Sequence, residues 1–372
     1  MERQYWLAWS QIPGVGPVLL KRIHQQLESL ENAWRATPRA LATVPGVGEK
    51  LIAQILRVRA HLEPAQFLAE HLQANPCFWT PADADYPRLL WETPSPPPVL
   101  YYQGQVNSLE NQGHIPAIAL VGTRFPTEHG RRWTIKISRS LAQNGFTVVS
   151  GLAAGIDAEA HRSCLEAGGR TVAVLGTGLD LIYPPQHRSL FTEIAAQGLL
   201  LTEYPRGTKP ERGHFPARNR IIAGLCRAIL VLEAPEQSGS LITARYGTEF
   251  NRDVYTLPNS PDVEEARGCL RLIHKGAEVI LDLDELLNSL GVLPPLDEGQ
   301  QLSLLPPVPE PQPTLEPLSA QIYELVGLAP TALDTIIGNC GLATGTVSGI
   351  LLELELSGLI TQLPGLRYQR AQ

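Results

Sequence analysis

The sequence has no apolar stretch long enough to cross a membrane. Its longest, residues 221–232, is interrupted by Arg227 and is shorter than the roughly 20 residues that a membrane-spanning helix needs. The first six residues, MERQYW, lack the apolar core of a signal peptide. We therefore expect neither membrane association nor secretion.

Clustered cysteines and the usual nucleotide-binding motifs are also missing. The five Cys residues are dispersed, which excludes a redox pair or a zinc knuckle and is typical of reduced thiols in the cytoplasm. The run Gly176-Thr177-Gly178 is followed by Leu181 where a dinucleotide-binding motif has its third glycine, and no P-loop motif occurs. We predict a cytoplasmic protein with no metal and no cofactor.

Charge is sparse, and lysine is scarce. Charged residues make up 18% of the chain, and 25 of its 30 basic residues are arginine. The net charge of −7 taken alone argues against a nucleic-acid partner. However, residues 124–227 carry 14 basic and 8 acidic side chains, a net charge of +6, whereas residues 228–372 carry 7 and 19, a net charge of −12. The basic segment is therefore the candidate for binding an anion, since the planar fork of arginine suits phosphate.

The length of 372 residues fits two or three domains. Eight of the 27 residues in 291–317 are proline, which predicts an extended linker. We predict a helical domain over 1–75, a Rossmann-like domain over 76–290, the linker, and a winged-helix-like domain over 318–372.

The fold class of the central domain follows from alternating strands and helices. Short apolar runs such as 117–121, 147–150 and 228–233 alternate with helical segments such as 128–143. Apolar strands that alternate with helices indicate an α/β fold, in which helices cover both faces of a mostly parallel, doubly wound sheet.

Two short repeats mark the N-terminal domain. The sequence I-P-G-V-G at 12–16 recurs as V-P-G-V-G at 44–48, and an amphipathic stretch follows each copy. The repeats resemble helix-hairpin-helix motifs, whose glycine turns present backbone N–H groups to phosphate. The alternative is a purely structural pair of turns, which the acidic Glu49 and the net charge of −1 over residues 1–123 favour.

The C-terminal domain looks like a winged helix, yet its expected recognition helix, residues 344–356, contains two glutamates and no Lys or Arg. A helix that enters a DNA groove should be basic. We therefore expect this domain to bind protein or to contribute little directly.

Glycine loops follow several predicted strands of the central domain. In a doubly wound sheet the ligand binds beyond the carboxyl ends of the strands, where helix N-termini and bare amides attract anions. The loops predict a phosphate cradle, with tight packing turns as the alternative. Its candidate residues are Gly122, Thr123, Arg124, Ser150, Gly151, Gly155, Gly176, Gly178, Ser238, Gly239 and Ser240.

A basic and aromatic segment, residues 212–220, is the densest functional candidate. It places Arg212, Phe215, Arg218, Asn219 and Arg220 within nine residues. Cations suit phosphates, and an aromatic ring suits an unstacked base, so the segment favours a single strand over a duplex. The alternative is a loop whose ring is buried and whose arginines cap or pair.

Asp157 and His161 stand four residues apart on a predicted helix, and we predict that they are structural or orienting groups. A rival hypothesis is an enzyme similar to the phosphoribohydrolases, nucleotide-processing Rossmann-type proteins that release a base. That hypothesis rests on Ser238-Gly239-Ser240 and on Glu249. We favour a binding protein without catalytic residues, because a small closed pocket has no need of Phe215 among arginines.

The motifs together resemble the DprA (Smf) family of DNA-processing proteins. The matching segments are V-G-T-R at 121–124, S-G-L-A-A-G-I-D-A-E-A-H at 150–161, V-L-G-T-G-L-D-L-I-Y-P at 174–184, F-P-A-R-N-R-I-I-A-G-L at 215–225 and S-G-S-L-I-T-A at 238–244. The resemblance implies a protein that binds single-stranded DNA, protects incoming DNA and helps load the RecA recombinase in natural transformation. It also implies a homodimer formed through the Rossmann-like domain. The DNA pocket implied by the family comprises Gly122, Arg124, the 150–155 loop, Arg212, Phe215 and Arg218 to Arg220.

Overall fold

The computed structural model describes residues 2–291, 317–327, 330–363 and 365–370. Contacts divide the chain into two compact units, residues 1–298 and residues 299–372. The predicted linker, 291–317, lies outside the described residues except for its two end positions. The predicted boundary after residue 75 falls inside the first unit and remains a prediction.

Residues 2–74 form six helices with a core of their own, in which Trp6, Trp9 and Leu20 are buried. The two repeats reverse the chain at Gly14 and Gly46, whose φ angles of 89° and 97° favour glycine. The helices are α1 (Glu2–Ser10), α2 (Pro17–Gln26), α3 (Leu30–Arg35), α4 (Pro38–Leu41), α5 (Glu49–Arg59) and α6 (Pro64–Ala74).

A nine-stranded sheet follows, in the order β1-β2-β6-β5-β4-β3-β7-β8-β9. Its strands are β1 (Phe78–Trp79), β2 (Leu100–Gly104), β3 (Ala117–Val121), β4 (Thr147–Ser150), β5 (Thr171–Val174), β6 (Leu199–Thr202), β7 (Ala228–Val231), β8 (Asp253–Thr256) and β9 (Glu278–Val279). All neighbours from β6 to β9 pair in parallel, whereas β1 pairs with β2, and β2 with β6, antiparallel. The predicted doubly wound, mostly parallel sheet is confirmed, and the antiparallel edge is an addition to it.

Helices cover both faces of this sheet. Along β3, Ala119 and Val121 belong to one core and Ile118 and Leu120 to the other, so the strand is apolar throughout. The helices of this region are α7 (Arg88–Glu92), α8 (Ser108–Gln112), α9 (Glu128–Gln143), α10 (Ile156–Glu166), α11 (Arg188–Gln197), α12 (His214–Leu225), α13 (Ser240–Glu249), α14 (Arg267–His274) and α15 (Leu283–Gly291).

Trp91, on α7, connects the helical region to the sheet region. Its ring packs against both the N-terminal core and the core on one face of the sheet. It meets the ring of Trp6 edge-on, at 5.8 Å between centroids. Lys21 Nζ donates to the backbone oxygens of Trp91 and Thr93, at 2.7 and 2.8 Å. The two regions of the first unit therefore share buried contacts.

The second unit has the predicted winged-helix architecture, with its own core around Ile322, Ile336 and Leu351. Its three-stranded sheet has the order β10-β12-β11, one short strand more than the predicted two-stranded wing. Its elements are α16 (Pro317–Leu325), β10 (Thr331–Ala332), α17 (Leu333–Cys340), α18 (Thr344–Leu356), β11 (Ile360–Leu363) and β12 (Arg367–Arg370).

Among the described residues, no single helix has the length and apolar composition needed to cross a membrane. One pair of helices, Leu333–Cys340 with Thr344–Glu355, passes that test together, but with a bend of 116° between them.

Candidate nucleic-acid interface

A cavity of about 520 Å³ opens at the carboxyl edge of the parallel sheet. Loops that follow β3, β4, β5 and β7 line it, together with the first turn of α12. This is the edge at which doubly wound sheets bind ligands. The cavity brings together ten predicted binding residues and Asp157: Gly122, Thr123, Arg124, Arg212, Phe215, Arg218, Asn219, Ser238, Gly239 and Ser240. We call it the sheet-edge cavity.

Three helices begin at the sheet-edge cavity, and a glycine precedes each of them. Gly155, Gly213 and Gly239 are the N-cap residues of α10, α12 and α13, and as glycines they supply no side-chain cap; at α13 the amide of Ser240 donates to Ser238 Oγ at 3.3 Å. The first N–H groups of a helix have no partner within the helix and carry the positive end of its dipole. Three such ends around one cavity suit the phosphates of a nucleic acid.

Two guanidinium groups at the cavity are exposed to solvent. Arg124 follows β3, and Arg212 lies just before α12. Within the part of the chain that the structure describes, neither has an ion-pair partner. Because their charge is not matched inside the fold, both groups are available to phosphate oxygens.

A third guanidinium, that of Arg218, is buried in the cavity wall. Its Nη1 donates to the carbonyl oxygens of Gly151, at 2.7 Å, and Val174. Burial lowers the pKa of Arg218 to about 10, an effect that Asp157 partly offsets, so the group stays charged at neutral pH. A Cβ at Gly151 would lie 2.5 Å from Nη1, so this loop position requires glycine. Arg218 therefore adds a fixed positive charge and holds the loop after β4.

Asp157 and His161 are both buried on α10. Asp157 Oδ2 accepts a hydrogen bond from the amide of Gly151 at 3.1 Å, while burial raises the pKa of its carboxyl and the charge of Arg218 opposes that shift. His161 Nδ1 lies 2.6 Å from Thr171 Oγ1. Burial lowers the pKa of His161 to about 3, so the imidazole is neutral at physiological pH. Asp157 thus orients a loop amide, and His161 connects α10 to β5.

Aromatic rings form part of the cavity wall and rim. Phe215 is half-buried and lies 5.3 Å from Tyr183 between ring centroids, at an interplanar angle of 38°. Its ring covers Gly176, where a Cβ would be 3.0 Å from Cδ1 of Phe215. On the β3 loop, the side chain of Phe125 is 85% exposed. The cavity therefore offers apolar surfaces to flat ligands as well as cations to anions.

Six predicted binding residues do not line the cavity, and five of these support its loops. Ser150 Oγ donates to a β3 carbonyl at 2.6 Å, and the Gly178 amide donates to Thr208 at 3.0 Å. Gly155 has a φ of 81° and packs so closely that a Cβ would lie 2.3 Å from the carbonyl oxygen of Thr123. Gly151 and Gly176 make room for side chains, as described above.

Arg220 is the sixth residue, and its charge is matched inside the fold. Its Nη2 lies 2.5 Å from Glu203 Oε2, and its Nη1 donates to the Ser95 carbonyl at 2.9 Å. The side chain is buried. Because Arg220 is committed to this ion pair, our proposed interface leaves it out.

Phe125, Tyr183 and Gly213 are additional residues of this site that were not predicted from the sequence. Phe125 directly follows Arg124, and an aromatic residue beside a strand-end arginine was the available signal. Gly213 lies between the predicted binding residues Arg212 and Phe215, where it is the N-cap of α12. No comparable signal existed for Tyr183, whose place in the cavity depends on the path of the loop after β5.

Comparison with known proteins agrees with this architecture. Residues 77–291 match the family model described as DNA recombination-mediator protein A, residues 306–366 match a DprA winged helix domain, and residues 9–58 match a SAM-like helix-hairpin-helix tandem. Protein Smf from Synechocystis sp. is 60% identical over 99% of both chains. The chain belongs to the DprA (Smf) family.

Two solved DprA structures are similar to this chain. DNA processing protein A from Streptococcus pneumoniae has a TM-score of 0.65 at 34% identity, covering 77% of this chain and 97% of its own. The other structure concerns the single-stranded DNA binding mode of DNA processing protein A from Helicobacter pylori. It has a TM-score of 0.52 at 32% identity, covering 57% of this chain and 95% of its own.

In this DprA family member, several cations of the helix-hairpin-helix tandem are used inside the fold. Lys21 binds backbone oxygens around α7, as described above. Arg22 Nη1 donates to the carbonyl of Pro45 in the second hairpin at 2.6 Å. Arg59 Nη1 donates to the carbonyl of Ala36, just after α3, at 3.0 Å. These contacts support the structural interpretation of the two repeats.

The winged-helix unit presents an uncharged and acidic surface on α18. Leu352 is 56% exposed and Glu353 beside it is exposed. On the wing, Arg370 Nε donates to the carbonyl of Val326 at 2.7 Å, and its guanidinium lies over the ring of Tyr323. The groups on this surface do not favour phosphate.

Proposed function

We propose that this DprA family protein binds single-stranded DNA without sequence preference at the sheet-edge cavity. The observation that carries the proposal is one cavity that combines three helix N-termini preceded by glycine, two exposed guanidiniums and several aromatic rings. Amides and cations bind phosphates whatever the base, and rings stack on any base.

The rings favour a single strand over a duplex. In a duplex the bases are already stacked on each other, so a half-buried Phe215 has no base face to cover. The Helicobacter pylori relative, whose structure addresses its single-stranded DNA binding mode, supports the same choice of ligand.

Fluorescence anisotropy tests this proposal with labelled oligo-dT and a blunt duplex of equal length. We expect tighter binding to oligo-dT, and we expect Phe215→Ala to weaken it by about 1–3 kcal/mol, the usual contribution of one stacked base. Phe215→Trp retains a stacking surface and serves as the matched control. Equal affinity for the duplex and oligo-dT would overturn the proposal.

We further propose the role that the family resemblance implies. The protein protects incoming single strands in the cytoplasm and helps load RecA during natural transformation, as a homodimer formed through the Rossmann-like domain. Sedimentation tests the dimer, and RecA-dependent strand exchange on DNA coated by a single-strand-binding protein tests the loading step. A monomer at all concentrations would contradict the proposed dimer, and strand exchange that the protein does not stimulate would contradict the proposed loading of RecA.

We also propose that the cavity binds without catalysis. The acids named by the rival hypothesis or placed near the cavity are engaged: Asp157 by the Gly151 amide, Glu233 by Thr127 Oγ1 at 2.5 Å, and Glu249 by Arg245 at 3.4 Å. Incubation with nucleoside monophosphates followed by chromatography should release no free base. Release of a base by wild type but not by Asp157→Asn would establish the phosphoribohydrolase-like alternative.

A further inference from the structure

A second cavity, of about 290 Å³, lies at the antiparallel edge of the same sheet. Tyr102, on β2, and Tyr204, just after β6, contribute rings to it, and Arg206 contributes a cation. Cys77 also lines this cavity and is exposed. We call it the β2-edge cavity, and no function described above uses it.

The two cavities are neighbours along the chain. The loop after β5 contributes Leu179 to the β2-edge cavity and Tyr183 to the sheet-edge cavity. The segment between β6 and α12, residues 204–215, likewise contributes Tyr204 and Arg206 to one cavity and Arg212 and Phe215 to the other. The two cavities therefore share two chain segments that a bound strand could follow from one to the other.

A pair of stacked rings joins the two ends of this segment. Tyr204 lies 4.1 Å from His214 between ring centroids, at an interplanar angle of 25°. The His214 ring is fixed in turn, with Nδ1 3.2 Å from the carbonyl oxygen of Gly176. Phe215 follows directly in the chain, so rings of both cavities are supported by one short segment.

The charges along this segment match a phosphate backbone. Arg206, Lys209 and Arg212 are exposed, and within the described residues none of the three has an ion-pair partner. Of the acidic groups nearby, Asp180 accepts from the amide of Gly207, at 2.9 and 3.0 Å from its two oxygens, and Glu211 is exposed, 3.6 Å from His214 Nε2. Residues 206–212 carry three basic side chains and one acidic one, a net charge of +2 that attracts a polyanion.

The rings of the β2-edge cavity are held in place before any ligand binds. Tyr102 stacks on the buried Trp79 at 4.1 Å between centroids, at an interplanar angle of 21°. Because Tyr102 and Tyr204 are each backed by another ring, a base that stacks on them orders little additional side chain. A fixed ring beside a cation is the combination that binds single strands.

We propose that the β2-edge cavity is a second subsite for the same single strand, which takes up an unstacked base while Arg206 and Lys209 bind the intervening phosphates. This inference rests on the proposed function, because the strand must first occupy the sheet-edge cavity. It predicts that affinity increases with strand length beyond what the first cavity alone can hold.

A length series of oligo-dT, from about 4 to about 16 nucleotides, tests the subsite by anisotropy. We expect wild type to gain affinity when the strand becomes long enough to reach both cavities. Arg206→Ala and Tyr102→Ala should lose most of that gain, while their affinity for the shortest binding oligomer stays unchanged. Tyr102→Phe keeps the ring, and Arg39→Ala removes an exposed arginine of the N-terminal region; both should behave as wild type.

Cys77 provides an independent reporter. Of the other cysteines, three are buried and Cys340 is half-buried, so the full chain with Cys340→Ser has one accessible thiol. We expect a long oligo-dT to slow the reaction of Cys77 with a thiol reagent on the order of tenfold, and a short one to leave it unchanged, since reactivity follows access.

The outcomes separate this proposal from the proposed function. If short oligo-dT binds through Phe215 but long oligo-dT neither protects Cys77 nor loses affinity in Arg206→Ala, the second subsite is wrong and the first stands. Protection of Cys77 by RecA in the absence of DNA, without protection by any oligo-dT, would make this a protein-binding surface and overturn the proposal. If no oligo-dT binds wild type, both proposals fail.

Discussion

The helix-hairpin-helix tandem and the sheet-edge cavity contain the same residue types, glycines before helices and nearby cations, but the cations make different contacts. In both, glycine is the N-cap residue of the helices: Gly16 and Gly48 in the tandem, and Gly155, Gly213 and Gly239 at the cavity. The difference lies in the cations. Lys21 and Arg22 bind carbonyl oxygens of the protein, whereas Arg124 and Arg212 have no ion-pair partner among the described residues.

This difference shows that a glycine turn with a nearby cation does not by itself define a phosphate site. The cation must also be left without a partner in the fold, and that depends on neighbours distant in sequence. Lys50 of the tandem remains exposed, so the tandem keeps at least one cation that a phosphate can reach. The two regions therefore differ in how many of their cations are available, and binding experiments can measure that difference.

The largest expected effect concerns pH and the buried imidazole of His161, which connects α10 to β5. With a folded-state pKa of about 3 against about 6.5 in the unfolded chain, only the unfolded chain binds a proton at His161 between those values. The contribution of His161 should therefore fall by about 1.4 kcal/mol for each pH unit below pH 6. Denaturant titrations of wild type and His161→Asn at several pH values give the free energy of unfolding as a function of pH. The contribution of His161 is the difference between the slopes of the two proteins.

His24 of the tandem is the internal comparison for this pH experiment. Burial lowers its pKa too, but the side chain is only half-buried. We expect His24→Asn to change the slope less than His161→Asn. A larger change for His24 would mean that the tandem is the more tightly packed region.

The next effect compares one glycine from each region. Gly151→Ala places a Cβ against the guanidinium of Arg218 and should cost about 1–3 kcal/mol of stability, as overpacking usually does. It should also weaken binding to oligo-dT, because Arg218 must move. Thermal unfolding and anisotropy give the two values.

Gly48→Ala is the matched control, since Gly48 has a φ of −91° and nothing lies within 4 Å of its added Cβ. We expect a loss of only about 0.5 kcal/mol of stability, because Ala is a poorer N-cap residue than Gly, and no loss of affinity for oligo-dT. If Gly48→Ala weakened DNA binding as much as Gly151→Ala, the tandem would be a binding site after all.

Removing cations in pairs tests the comparison directly. Arg124→Ala with Arg212→Ala should reduce the slope of log affinity against log salt by about 1.4, since each neutralised phosphate contributes about 0.7 on a single strand. Lys21→Met with Arg22→Ala should leave that slope unchanged and lower the melting temperature instead. The opposite pattern would place the DNA on the hairpins.

The smallest expected effect is that of Phe125. Its exposed ring at the cavity rim should contribute about 1 kcal/mol to oligo-dT binding, at the low end of the range for base stacking. Phe125→Ala should lose this contribution without a change in melting temperature, and Phe125→Tyr should keep it. An unaltered affinity in Phe125→Ala would exclude Phe125 from the interface.

The sequence predicted the parallel part of the sheet well because each buried strand is a short apolar run between helices. The predicted strands at 117–121 and 147–150 coincide with β3 and β4. The antiparallel edge was missed because β1 has two residues, too few to show any periodicity. Its pairing with β2 depends on tertiary contacts.

The candidate site was predictable to the level of its loops but not of every side chain. Arg218, Asn219 and Arg220 are adjacent in sequence and all basic or polar, yet Glu203 takes Arg220 out of the cavity. A partner 17 residues away on another element leaves no local signal. Phe125 did have a local signal, because it follows Arg124 directly. It was missed because a single Phe beside a strand usually belongs to a core.

The position of Trp91 has a consequence for how the first unit loses its structure. Its ring belongs to the packing of two cores, and the carbonyl oxygens of Trp91 and Thr93 hold the ammonium of Lys21. Melting the N-terminal helices alone would expose this indole and remove the Lys21 ammonium from both carbonyl oxygens. The helices and the sheet of residues 2–291 should consequently denature in one cooperative transition. Removal of residues 1–75 should therefore lower the free energy of unfolding of the sheet region that remains.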